Sequence, residues 1–215
     1  MLGAGVSGFI LLGLTVLAVN AVLEHATAQR WRRATRPLVG ALLEKVNTHQ
    51  LANAALSIRQ SARLYRQSAA RGTEDPDWRS TVLEPLRALC QTDIRGPSVL
   101  ARRLASDADA LAPLLTAHDE GLDAYGAVWR VSQKARNVVD AKERHERAVA
   151  DAFTRETSTW AGQAGVCSSI HALAVAYNDL MCALARLEDV SERDLGSTRR
   201  FQPVWSAPPV EGTIP

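Results

Sequence analysis

The stretch "IHALAVAYNDLMCALARL", residues 170–187, decides the fold class. Ile170, Leu173, Tyr177, Leu180, Leu184 and Leu187 follow one another at steps of 3, 4, 3, 4 and 3. A helix turns once in about 3.6 residues, so that alternation places all six side chains on one face. A strand would alternate at every second position, which this run does not do. The segment is therefore read as a helix with one long apolar row, and that row needs a partner of similar length.

The partner lies just upstream. Leu115, His118, Leu122, Tyr125 and Trp129 repeat at 3, 4, 3 and 4, and the row continues through Ala135 and Val138 or Val139. It thins across "DAKERHER", Asp140–Arg147, and resumes at Val149 and Phe153. The polar stretch reads as a solvated face, since mixed charges at close spacing suit exposed ion pairs. "TSTWAGQAG", Thr157–Gly165, reads as the boundary between two long helices that return antiparallel on each other.

Further upstream, residues 36–70 read as another helix, with Pro37 in its first turn. Leu51, Ala55, Ile58, Ala62, Tyr65 and Ala69 form its apolar row, while Arg59, Arg63 and Arg66 form a basic one. "RGTEDPDW" at residues 71–78 and "IRGPS" at residues 94–98 carry turn and restart signals, and Pro113 is expected to kink or split the helix that contains it. Apolar residues make up 47% of the chain but aromatics only 5%, and Ala and Leu dominate, which favours helix over sheet.

The first residues pose a separate question. Leu2 to Leu23 contains no charged residue, and those 22 positions would span about 33 Å as a helix, against roughly 30 Å of bilayer hydrocarbon. Arg30, Arg32, Arg33 and Arg36 follow. Basic residues near the end of a span stay on the cytoplasmic side. The expected architecture is therefore all-α: a single N-terminal transmembrane helix followed by an antiparallel helical bundle or long helical hairpin. Its expected place is the cell membrane, single-pass, with the N-terminus outside and the C-terminal domain cytoplasmic. Arg30, Trp31, Arg32, Arg33 and Arg36 are the expected membrane-interface residues, meeting anionic lipid headgroups. "ATA" at residues 26–28 leaves secretion after cleavage near Ala28 as the alternative, but no basic residue precedes the apolar run as a signal peptide requires. The organisation read from these signals is an anchor at 1–25, a basic juxtamembrane segment at 26–37, a helical bundle at 38–190 and a polar, then Pro-rich tail at 191–215.

The formal net charge of +2 conceals an uneven distribution. Residues 30–71 hold nine Lys or Arg against one acid, Glu44, so partners with negative charge are expected there. The tail stretch "FQPVWSAPPV", residues 201–210, reads as an extended docking peptide with Phe201 and Trp205 as anchors. Arg59, Arg63, Arg66, Phe201 and Trp205 are the expected partner-binding residues.

Chemistry-bearing patterns are sparse. Cys90, Cys167 and Cys182 form no C-x-x-C pair, and no E-x-x-H occurs, so zinc-ribbon and bundle di-metal centres have no basis. Neither a P-loop nor G-x-S-x-G is present. Cys167 and His171 stand four apart, without a third group to orient them. No catalytic residue, cofactor or metal is expected, and the chain is not read as an enzyme. The expected function is a membrane-anchored structural or accessory subunit that binds and stabilises a protein partner or larger membrane assembly. Two alternatives are a membrane-associated helical sensor or signalling component and a membrane-tethered nucleic-acid-binding protein; nucleic acid is the lesser of the expected partners.

Overall fold

The computed structural model describes residues 3–46, 48–69, 80, 84–92, 94–116, 122–154 and 160–195. They form six helices: α1 (Gly3–Glu44), α2 (Thr48–Ala69), α3 (Glu84–Thr92), α4 (Arg95–Leu115), α5 (Leu122–Thr154) and α6 (Trp160–Leu195).

The two longest bundle helices, α5 and α6, share the largest interface. Their cross-contacts fix the direction: Asp123 meets Arg193, Lys134 meets Asp179, and His145 meets Ser169. Partner numbers fall as α5 rises, so the pair is antiparallel, as the two apolar rows require. Ile170, Leu173, Tyr177, Leu180, Leu184 and Leu187 are all fully buried. Facing them, α5 buries Ala124, Val128, Val131, Ala135, Val138, Ala141 and Val149. Small side chains on α5 opposite large ones on α6 let the two surfaces interlock at close range.

The row on α5 does not break at its polar stretch. His145 has no exposed area and takes the place between Ala141 and Val149 that an apolar residue would fill. The expectation of a wholly solvated Asp140–Arg147 face is corrected there. Lys142, Glu143, Arg144, Glu146 and Arg147 lie on the outer side of the same turns, while one titratable ring points inward.

Helix α4 packs antiparallel on α5, with Arg102 reaching Glu143 and Arg136 reaching Asp109. Its buried row is Pro97, Ala101, Leu104, Ala108, Leu111 and Leu115, again at alternating steps of 4 and 3. Pro113 sits in the last turn of α4, which runs on through it to Leu115, so the proline does not split the helix. The Thr116 hydroxyl donates to the Pro113 carbonyl at 3.0 Å and closes that end. Helix α2 lies on α6 through Leu51, Ala55, Ile58 and Ala62.

Helix α1 starts well before Pro37 and runs through it. Proline removes one backbone donor but keeps helical φ, and here it falls on the exposed side, where solvent has access to the carbonyl left without its donor. The second half of α1 belongs to the bundle: Ala28, Thr35, Val39 and Leu42 are buried, as is Val46 just past its end, with Trp31 half-buried against the core.

This corrects the transmembrane expectation. Among the described residues no helix is long and apolar enough to cross a membrane. The described side chains of α1 leave only a short uncharged run before Glu24; beyond it the helix carries Arg30, Arg32, Arg33 and Arg36 on one side and bundle contacts on the other. Met1 and Leu2 lie outside the described residues, as do the side chains of residues 3–16. The single-pass placement with its N-terminus outside, and the membrane-anchored subunit, sensor and nucleic-acid readings built upon it, are withdrawn with the span.

Truncating the central row is expected to be costly. Leu180→Ala should lower stability by about 2–5 kcal/mol, since the cavity adds to the lost transfer energy. Leu56→Ala, at a side chain 47% exposed, should stay within about 0.5 kcal/mol of the parent chain. Denaturant unfolding followed by helical circular dichroism measures both.

Candidate functional site

The features the core does not explain gather on α1. Ala28, Trp31, Thr35, Val39 and Leu42 step at 3, 4, 4 and 3 and make its bundle-facing row. One, two and three turns further along that row stand Glu24, Ala21 and Leu17, and all three are exposed. The bundle therefore ends at Ala28, and α1 continues past it. Residues 17–27 alone make about 16 Å of helix, and every described side chain among them is exposed. A helix of that length is marginal by itself, but this one propagates from a packed segment and needs no new nucleus.

The opposite face has its own pattern. Val19, Val22, Leu23 and Ala26 lie at i, i+3, i+4 and i+7, and Arg30 and Arg33 extend the same row by one more turn and two. Val19 is 50% exposed, Val22 68% and Leu23 58%. Isolated exposed apolar residues are ordinary, but a contiguous row on a projecting helix is not. Local bonds keep this helix regular: the Thr27 hydroxyl donates to the Leu23 carbonyl at 2.7 Å, and Gln29 Nε2 donates to His25 Nε2 at 3.1 Å.

The charges divide in the same way. In the bundle, Lys45–Asp107 (2.9 Å), Lys134–Asp179 (2.6 Å) and Lys142–Glu146 (2.8 Å) pair opposite signs. Asp109 is shared: it accepts from the buried Ser132 hydroxyl at 2.6 Å and from Arg136. Among the described residues no carboxylate pairs with Arg30, Arg33 or Arg36. All three are exposed.

The other expected site residues fall in different places. Trp31, expected at headgroup level, packs against the core. Arg32 is exposed beside it. Arg59 is turned inward, donating from Nη2 to Asn178 Oδ1 at 3.1 Å and tying α2 to α6; Asn178 in turn donates to Cys182 Sγ at 3.9 Å. Arg63 is exposed. The side chain of Arg66, and all of Phe201 and Trp205, lie outside the described residues.

Two chemical patterns can be weighed against geometry. Gly3, Gly5 and Gly8 stand at G-x-G-x-x-G spacing. A dinucleotide fingerprint needs that spacing in a turn between strand and helix, whereas α1 runs through all three glycines. Cys167 and His171 share α6, but burial pushes the Cys167 thiol above its ordinary range, so it is protonated and a poor nucleophile at neutral pH. Among the described residues no group of three or more metal-ligating side chains occurs.

No protein-family model matches the chain, and no curated protein or solved structure shows significant similarity to it.

The two described cysteines should differ sharply in reactivity. At neutral pH, exposed Cys182 is expected to react with iodoacetamide at least about tenfold faster than half-buried Cys167, because attack needs both access and thiolate. Peptide mass spectrometry after timed alkylation reads the two rates.

Proposed function

We propose that the chain is a helical docking module for a protein partner, with the six-helix bundle holding α1 out as the binding element. The observation that carries this reading is the uncovered row Val19, Val22, Leu23 and Ala26 continuing into Arg30 and Arg33 on a helix that has left the bundle. An apolar row of this spacing is the usual surface against which a second amphipathic helix lies. Fully covering a Val or Leu side chain contributes about 1.5–3 kcal/mol, so three such residues supply the core of a modest interface.

The arginines choose the partner. A second copy laid parallel on α1 would bring Arg30 and Arg33 against themselves, which like-charge repulsion opposes. A partner helix with an apolar row followed by Asp or Glu meets both halves of the surface. Its acids would steer the encounter, and the apolar residues would hold the complex. No catalytic step belongs to this reading.

A labelled helical peptide with leucines at i, i+3, i+4 and i+7 and two glutamates on the following turns serves as the probe. Fluorescence anisotropy with the full chain should show saturable binding. Val22→Asp with Leu23→Asp should weaken it by at least about tenfold. Arg30→Glu with Arg33→Glu should do the same and be rescued by a peptide with lysines in place of the glutamates. Binding unchanged in both double variants overturns the reading. So does a concentration-dependent dimer in sedimentation that Val22→Asp with Leu23→Asp abolishes, because the row would then belong to a second copy.

A further inference from the structure

His145 is a titratable side chain sealed inside the bundle, and its hydrogen bonds fix its state. The ring Nδ1 lies 2.8 Å from Ser169 Oγ. Ser169 spends its own hydroxyl proton on the Val166 carbonyl, 2.9 Å away. A hydroxyl carries one proton, so the Nδ1–Oγ bond takes its proton from the imidazole. The ring is therefore the neutral Nδ1–H tautomer, assigned by the network around it. Its Nε2 keeps a bare lone pair, buried and without a hydrogen-bond partner.

Among the described residues the surroundings offer no free counter-ion for a second proton. On α5, Glu146 is paired with Lys142, and Glu143 accepts from Arg102 of α4. The N-terminal half of α4 carries Arg95, Arg102 and Arg103, with no acid before Asp107. The facing half of α6 has no acid before Asp179, which Lys134 already engages; its titratable groups there are the protonated Cys167 thiol and His171. On α3 the charged residues are Glu84 and Arg87, the latter over the Phe153 ring at 5.5 Å. Burial holds the His145 pKa down at about 4, against 6.5 in water, and outweighs the pull of Glu146.

We propose that His145 is an acid-sensitive latch on the α5–α6 seam: a proton taken from solvent onto Nε2 opens the helices around Ala141–Val149 and Val166–Ile170. A cation at this position has neither water nor an acceptor for its new N–H, so it is satisfied only when that end of the seam parts. Local opening of this kind costs less than global unfolding, because the Leu173–Leu187 row remains paired.

The sign follows from linkage. Above pH 6.5 the ring is neutral in both closed and open forms, and pH has no effect through it. As pH falls from 6.5 toward 4, the open form binds a proton and the closed form does not. Opening therefore rises about tenfold by pH 5.5 and approaches a hundredfold by pH 4.5.

Hydrogen exchange on the full chain between pH 7.5 and 4.5, corrected for intrinsic rates, tests this. Amides of 138–150 and 164–172 should lose protection by those factors, while amides of 124–135 and 176–188 should not. His145→Leu keeps an apolar filling and should flatten the pH dependence. Flat protection in the parent chain, or an undiminished acid loss in His145→Leu, overturns the latch. If His145→Leu does not fold, imidazole 15N resonances of the parent chain decide. They should show the Nδ1–H tautomer with no titration above about pH 5; a ring that titrates near 6.5 overturns it.

Discussion

The antiparallel seam between α5 and α6 carries the other helices. Six large side chains from Ile170 to Leu187 leave water along one line, and they can do so only against a surface that comes close for the whole of that line. Helix α5 provides it with alanines and valines, whose small volume lets the backbones approach. Once the pair is formed, its outer faces are fixed. Helix α4 then packs on α5, and α2 on α6, each through a row of its own.

Two polar groups in this core are met by a neighbouring helix. Ser132 on α5 is buried and meets Asp109 from α4; His145 on α5 meets Ser169 from α6. Each such bond reports register, because a shift of one residue would rotate the polar group away from its acceptor and leave it unsatisfied. His145 is answered on one nitrogen only, and for that reason the same residue that helps set the register also makes the seam sensitive to protons.

Helix α1 serves two environments along one axis. From Ala28 onward one face is bundle core. Before Ala28 the described apolar side chains, Leu17, Val19, Val22 and Leu23 among them, are exposed. The arginines lie at the junction, on the side away from the core. That geometry separates the stability of the fold from whatever the projecting end binds, since Val22 and Arg33 are both exposed.

Much of the helix arrangement was legible in the chain. The 3–4 alternation of Ile170–Leu187, of Leu51–Ala62 and of the Leu104–Leu111 region names the buried faces directly, because helical geometry turns spacing into direction. Periodicity could not show where α1 leaves the bundle, since Val19 and Val39 are equally apolar and differ only in what lies beside them. Composition suggested a solvated Asp140–Arg147 and a basic face through Arg59, yet neighbours turned His145 and Arg59 inward by supplying Ser169 and Asn178 from residues far away in sequence. The sequence by itself determined the helices, their apolar rows and the clustering of basic charge, all of which depend on residues a few positions apart. Only the tertiary structure decided which apolar rows are covered and which titratable groups are sealed from water. Burial is a property of long-range neighbours, and no local spacing contains it.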